Sequence, residues 1–131
     1  MVHAQCYSQE RHKDCPADDC GCGIYGRFSV IDSFESIISQ FAFFAIPQVV
    51  ESNFIPFVAL TEHYGKVQIH EHGLRSEYAK VVGTVSFRDD LTTFDVYKKI
   101  STKAADQLGV PLYGSKIGQE MIDYSLLVNG L

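Results

Sequence analysis

The sequence lacks a basic cluster, a long apolar run and an apolar leader. Sixteen Asp and Glu residues outnumber 11 Lys and Arg residues, which gives a net charge of -5. Because nucleic-acid affinity depends mainly on neutralising phosphates, this balance disfavours a nucleic-acid partner. The longest uncharged run, residues 36–50, is 15 residues long and too short to cross a bilayer comfortably. The first residues, MVHAQCYSQERHKD, contain no signal-peptide core, so we expect a cytoplasmic protein without a membrane partner.

Motifs that mark the common enzyme classes are also missing. The sequence contains no G-x-S-x-G nucleophile elbow and no phosphate-binding P-loop. The segment HEHG lacks the four-residue helical spacing that H-E-x-x-H needs to place two His side chains on one metal ion. The carboxylate pairs Asp18-Asp19 and Asp89-Asp90 are typical of solvated turns. The sequence therefore favours a non-enzymatic protein, while leaving an enzyme open.

The four cysteines, in contrast, are concentrated at the start of the chain. Their spacing is C-x8-C-x4-C-x-C, and the members are Cys6, Cys15, Cys20 and Cys22. In a reducing cytosol a disulfide framework is disfavoured, and clustered thiols are better explained as metal ligands. A closed set of four Cys, or of three Cys and one His, is typical of structural zinc. We therefore predict a zinc knuckle in residues 1–23.

The weak point of this prediction is the final C-x-C pair. On an extended strand Cys20 and Cys22 share a face without converging, whereas zinc sites usually use C-x2-C. The fourth ligand stays open between Cys6 and His12, with His3 as a more distant candidate. Free thiols, or a disulfide or redox pair, are the alternatives to a metal, since Cys is also a common buried residue.

The remaining pattern predicts one α+β domain over residues 1–131, with an antiparallel sheet of about three to five strands and two helices. The chain is 46% hydrophobic and of single-domain length. The domain would consist of the knuckle, a core over residues 24–111 and a C-terminal extension over residues 112–131. Alternation and β-branched or aromatic content predict strands over residues 24–31, 57–61, 66–72 and 76–87. Turns are expected at 64–65 and 73–74.

Two helices are predicted from capping residues and helical spacing. Asp32 and Glu35 form a capping pattern for an unusually apolar helix over about residues 33–45, which Pro47 ends. Thr92 or Thr93 caps a second helix that Gly109 stops after Leu108. The tail from residue 113 onward contains a short helix or strand that the pattern does not place.

The most polar part of the predicted sheet is the hairpin over residues 65–80. If the strand reaches residue 72, His70 and His72 share one face with Glu71 opposite, and Arg75 pairs with Glu77 on the returning strand. Two His and a carboxylate can form an open metal or catalytic site. The same side chains can instead form a surface ion-pair cluster, or a binding surface for a ligand or partner.

Three separated motifs together resemble a family of small actinobacterial and phage proteins. They are a C-x-C-G-I-Y knuckle at residues 20–26, a G-K-V-x-x-H-E-H-G-x-R-S-E-x-A hairpin at residues 65–79, and L-G-V-P at residues 108–111. The chain departs from the pattern at Gly26, where Ala is usual, in the extra His that His70-Glu71-His72 carries, and at Gln107-Leu108, where Arg-Tyr is common. The resemblance implies the architecture and the knuckle, and a bacterial host cell, but no activity.

Two classes of function remain. The first is a non-enzymatic, zinc-stabilised module that binds another protein. The resemblance and the small size suggest its finer form, a phage-encoded inhibitor or regulator of a bacterial defence protein. The second is a metal-dependent enzyme or small-ligand-binding domain that uses His70, His72 and Glu77, with His63 as a further candidate. A nucleic-acid reader is a weaker third, because short Cys knuckles occur in such proteins.

Overall fold

The computed structural model of the chain describes residues 1–6, 15–17, 20–41, 57–86 and 96–131. Within these residues the chain forms five strands and three helices, which confirms the predicted α+β class. In the same ranges, no helix combines the length and the apolarity that crossing a membrane requires.

The elements in chain order are β1 (Val2–His3), β2 (Ile24–Arg27), α1 (Val30–Phe41), β3 (Val58–Ile69), β4 (Gly73–Val85), α2 (Val96–Leu108), β5 (Leu112–Tyr113) and α3 (Ser115–Val128). They belong to two compact units. The first contains Met1–Phe28 and Thr61–Val81, and the second contains Ser29–Leu60 and Val82–Leu131. The predicted extension over residues 112–131 is thus part of the second unit, and the single domain stays a prediction.

In the first unit, β4 is the strand to which the N-terminal segments attach. Both β1 and β2 pair with it antiparallel, His3 opposite Tyr78 and Tyr25 opposite Arg75. The His3 and Tyr78 rings stack with centroids 4.5 Å apart. β3 also pairs with β4. The N-terminal residues are therefore held by backbone pairing as well as by their cysteines.

The turn predicted at Tyr64-Gly65 is wrong, because β3 runs through both residues to Ile69. Gly65 has a φ of 75°, and a Cβ there would lie 2.9 Å from the Tyr78 ring. A glycine is needed here for the positive φ and the close cross-strand approach, and not for a reversal. The second predicted turn, at 73–74, is displaced, because the chain reverses at Glu71 and His72 and β4 already begins at Gly73. The N–H of His70 donates to the carbonyl of Gly73 at 2.8 Å across this reversal.

The second unit contains a conventional apolar core. Its buried members are Val30, Phe34, Val58, Leu60 and Val85, with Val82, Tyr113 and Ile122 packed against them. Two buried hydroxyls attach α2 to β4 in this unit. Thr84 Oγ1 donates to the carbonyl of Ser101, and Ser101 Oγ donates to the carbonyl of Val85, both at 3.0 Å.

Helix α1 begins earlier than the capping pattern predicts. Ser29 Oγ accepts the N–H of Asp32 at 3.2 Å, so Ser29 and not Asp32 is the N-terminal cap. The predicted strand over 24–31 correspondingly ends at Arg27. An earlier start places Val30 and Phe34 four residues apart on one buried helix face. The predicted end near residue 45 lies outside the described residues.

The C-terminal part contains a parallel strand pair and a helix that the sequence did not place. β5 pairs parallel with β4, Thr84 opposite Leu112, and α2 supplies the crossover that a parallel pair needs. Gly109, with a φ of 66°, ends α2 at Leu108 as predicted; the predicted Thr caps lie outside the described residues. In α3, Gly118 lies against Val85, where a Cβ would come within 3.3 Å of its methyl groups.

Candidate metal centre

The cysteines of the first unit come together. The sulfur atoms of Cys6, Cys20 and Cys22 all lie within 4.8 Å of one another, and Cys6 Sγ is 3.8 Å from Cys20 Sγ. All four cysteines are free thiols without a disulfide. Three sulfur atoms this close can bind one metal ion, so the N-terminal segment contains a candidate metal site.

The pairing of the strands explains why Cys6 meets the C-x-C pair. β1 pairs with β4 as far as Tyr78, and the next residue, Ala4, donates its N–H to the carbonyl of Glu77 at 2.7 Å. β2 begins at Ile24, opposite Ser76. The end of β1 and the start of β2 therefore reach neighbouring positions on β4. Cys6 follows the first and Cys22 precedes the second, so the register brings their sulfurs together.

The C-x-C pair does converge, contrary to the concern that the sequence raised. Cys20 and Cys22 precede β2 and are not on an extended strand. The chain bends at Gly23, whose φ is 124° and where a Cβ would lie 3.2 Å from Cβ atoms of both Arg75 and Pro16. The Tyr25 hydroxyl donates to the carbonyl of Gly21 at 2.5 Å and holds the bend. A one-residue spacing therefore suffices, because the backbone is curved there.

Cys15 lies beside the other thiols and is 2% exposed. A hydrogen bond with Cys22, then burial, then repulsion from Cys22 and Cys6 raise the pKa of Cys15 to about 12. Cys15 shares a buried cluster with Cys6, and Cys20 and Cys22 pack against that cluster, although Cys15 is not one of the three sulfurs that all lie within 4.8 Å of one another. A thiol so placed keeps its proton unless a cation offsets the charge of its neighbours. Of the candidates that the sequence left open for the fourth ligand, Cys6 belongs to the group and His12 lies outside the described residues. His3 stacks on Tyr78 and is not part of the group.

Arg75 is part of the site, although the sequence predicted a different role for it. It was predicted to pair with Glu77 on the hairpin, but it is 7% exposed and donates to the Cys-rich segment. Its Nη1 donates to the carbonyls of Cys20 and Cys22, and its Nη2 donates to the carbonyl of Ala17 at 2.9 Å. The contacts link residues 53 to 58 positions apart. No local pattern predicts them, since they depend on the register of β2 and β4.

The hairpin residues do not form the second metal site that the sequence left open. His70 and His72 are exposed at the chain reversal, where strand alternation no longer gives them a common face. His72 Nε2 lies 3.7 Å from Glu71 Oε1, a pair whose side chains are 81% and 86% exposed and so contribute little to stability. Glu77 is half-buried within β4, beside Gly65. The metal-ligand group that the described residues contain consists of cysteines.

His63, the further candidate of that second site, has both ring nitrogens engaged. Nδ1 lies 2.7 Å from Ser76 Oγ, and Nε2 lies 2.8 Å from Thr61 Oγ1. Because Ser76 Oγ donates its own proton to the carbonyl of Tyr78 at 2.9 Å, Nδ1–H is the donor to Ser76 and Nε2 accepts from Thr61. Burial lowers the pKa of His63. The neutral imidazole therefore joins β3 to β4 and is not available as a ligand.

This network predicts a loss of stability in mild acid. When the pKa of a His is lower in the folded state than in the unfolded state, the neutral His contributes to the free energy of unfolding above the unfolded pKa of about 6.5. That contribution is lost as the pH falls through the folded pKa. Denaturant unfolding between pH 7.5 and 5 should show a steeper loss in wild type than in His63→Gln. His70→Gln in the exposed turn is the matched control and should keep the wild-type slope. Equal slopes in all three proteins would contradict the assignment.

No protein-family model, curated protein or solved structure matches the chain. What the site can do chemically therefore follows from its geometry alone. Three crowded sulfurs, a fourth thiol beside them and burial of Cys6 and Cys15 can hold a metal ion with little access for solvent or substrate. A set that a fourth thiol closes is the arrangement of a structural site, whereas three ligands alone would leave the open position of a catalytic one.

Proposed function

We propose that the chain is a non-enzymatic protein-interaction module whose N-terminal segment is stabilised by structural zinc. Thiolate sulfur selects zinc, copper(I) or iron–sulfur clusters over hard cations, and a set of four Cys around a single ion is typical of zinc. The support for the metal is the cysteine group of Cys6, Cys20 and Cys22, with Cys15 beside it. Their enclosure argues for a role in shaping the chain.

The observation that supports protein binding is the outer face of α3. Four of its large apolar residues are exposed over about three turns, at Ile117 (53%), Met121 (38%), Tyr124 (70%) and Val128 (64%). Their 4-3-4 spacing aligns them in one stripe along the helix. A different face of the helix carries Gly118 and Ile122, which lie against the core of the second unit. A contiguous apolar stripe of this kind is typical of an interaction surface.

The charge of the chain indicates the chemistry of the partner. With a net charge of -5, an apolar surface bordered by basic side chains is attracted and an acidic one is repelled. Tyr and Met are also enriched at interfaces, where their side chains bury large areas. In its finer form, which rests on the sequence resemblance, the proposal is an inhibitor or regulator of a bacterial host protein.

The test compares partner capture by three forms of the intact zinc-loaded chain from a bacterial lysate. Wild type should retain one partner in stoichiometric amount. Met121→Ser/Tyr124→Ser should lose it, since a truncated residue at an interface hot spot costs roughly 2 kcal/mol or more. Leu108→Ser is the matched control, because it removes an apolar side chain that is 48% exposed on a different helix. It should retain the partner.

Two outcomes would overturn the proposal. The first is that wild type captures no stoichiometric partner. The second is that the double variant captures as much as the Leu108→Ser control. Gel filtration of the same three proteins tests whether the stripe binds a second copy of the chain instead. Self-association that only the double variant loses would contradict a separate partner.

A further inference from the structure

Arg75 is a buried cation in the first unit, and all its described acceptors belong to the metal-binding segment. It is 7% exposed, and its guanidinium reaches the carbonyls of Ala17, Cys20 and Cys22. All three acceptors are backbone carbonyls, so these bonds bring no negative charge to the guanidinium. Burying a charge without an opposite charge is costly. The described contacts thus leave the charge of Arg75 uncompensated beside a cluster of thiols.

The hydrogen bonding of the same side chain is also incomplete. Its Nε is buried and has no hydrogen-bond partner among the described residues. Buried polar atoms in folded proteins are almost always paired, and an unpaired one calls for an explanation such as an ion that belongs there. Among the described residues, an uncompensated charge and an unpaired donor therefore point to a negative group next to the cysteines.

A metal–thiolate centre supplies that negative charge. A divalent ion with four thiolates carries a net charge of about -2, and one with three thiolates and a neutral His about -1. Either set supplies the negative charge that the described contacts lack, and a guanidinium attracts a centre of charge -2 more strongly than one of charge -1, so its charge favours the four-thiolate set. The planar fork of Arg can also hold two carbonyls on one side and a third on the other, which a Lys ammonium cannot reproduce.

We propose that Arg75 is the positioning residue of the metal centre. It fixes the ligand-bearing loop through the carbonyls of Ala17, Cys20 and Cys22, and its charge favours a site with four thiolates, in which Cys15 is the fourth ligand. This inference rests on the proposed zinc site. It gives the β3–β4 hairpin a specific role, because β4 carries the residue that holds the ligand loop in place.

The experiment measures zinc affinity by chelator competition for wild type, Arg75→Gln, Arg75→Lys and Arg27→Gln. Loss of an outer-shell partner lowers metal affinity by roughly 10- to 100-fold, and we expect such a loss in Arg75→Gln. Arg75→Lys keeps the charge without the fork and should fall in between. Arg27→Gln is the matched control, since it makes the same change at an exposed position of β2. It should bind zinc as wild type does.

A second readout separates positioning from a general effect on folding. Cobalt(II) replaces zinc, and its thiolate charge-transfer bands report how many sulfurs bind and in what geometry. We expect wild type and Arg27→Gln to give the same four-sulfur spectrum and Arg75→Lys a weaker or shifted one. If Arg75→Gln does not fold with zinc, the Arg75→Lys protein decides the question.

Different results would overturn the role of Arg75 and the zinc site itself. Unchanged zinc affinity and unchanged cobalt spectra in both Arg75 variants would overturn the inference while the zinc site stands. A wild-type protein that binds no zinc at all would overturn the metal half of the proposed function, and with it the inference.

Discussion

Replacing Cys20 and Cys22 together by Ser should remove the metal and unfold the first unit. The two residues supply two of the three sulfurs that lie within 4.8 Å of one another. The small cluster around them consists of Ala4 and the four cysteines, with Ile24 as its largest member. Apolar burial there is modest, so we expect most of its stability to come from metal binding, which contributes roughly 10–16 kcal/mol in zinc-finger peptides at pH 7.

Hydrogen exchange read by mass spectrometry is the measurement. In the double variant, protection should be lost over Val2–His3, Ile24–Arg27 and the part of β4 that pairs with them, while α3 keeps its protection. A chelator added to wild type should produce the same loss. The control is the chelator added to the double variant, which should change nothing further. Wild-type protection in the variant, or a metal ion still bound to it, would contradict the zinc site.

The contrast between the two units explains this regional effect. The second unit buries Val30, Phe34, Leu60 and Val85, whose large side chains exclude water without help. Large apolar side chains of this kind recur in a sequence with the period of a strand or a helix. The α+β class was correctly predicted from those patterns. In the first unit, the contacts are made by sulfurs and backbone carbonyls, which leave no periodic pattern.

The sequence predicted which cysteines form the candidate site but not how they are arranged. Four cysteines within 22 residues indicate a shared site. Their arrangement depends on where β1 and β2 meet β4, a long-range register that local spacing does not specify. The same register brings Arg75 to the carbonyls of Cys20 and Cys22. From the sequence alone, Arg75 was therefore predicted to form an ion pair with Glu77, which lies two residues away on the same strand.

Turn prediction failed for a related reason. Gly65 was interpreted as a chain reversal, whereas its missing Cβ makes room for Tyr78 and Glu77 of the neighbouring strand. A glycine that permits a close approach and a glycine that permits a reversal are the same letter in the sequence. Similarly, Ser29 and Asp32 are both good helix caps, and the choice of Ser29 follows the burial of Val30 and Phe34.

Cys15→Ser should weaken zinc binding at least tenfold, or about 1.4 kcal/mol, whereas His12→Ala should leave it unchanged. The reason is the position of Cys15 beside Cys22 and Cys6, which raises its pKa to about 12 in the absence of a metal ion. Zinc binds thiolates, so each thiol ligand gives up its proton when the ion binds. A zinc ion held by four thiolates must therefore displace about four protons.

Proton release, measured by titration calorimetry in buffers of different ionisation enthalpy, counts the thiol ligands directly. Wild type and His12→Ala should each release about four protons per zinc, and Cys15→Ser about three. If wild type releases about three and His12→Ala loses affinity, then His12 is the fourth ligand and Cys15 is only a buried thiol. That result would also remove the preference of Arg75 for four thiolates, because a set with a neutral His carries less negative charge and attracts the guanidinium less strongly.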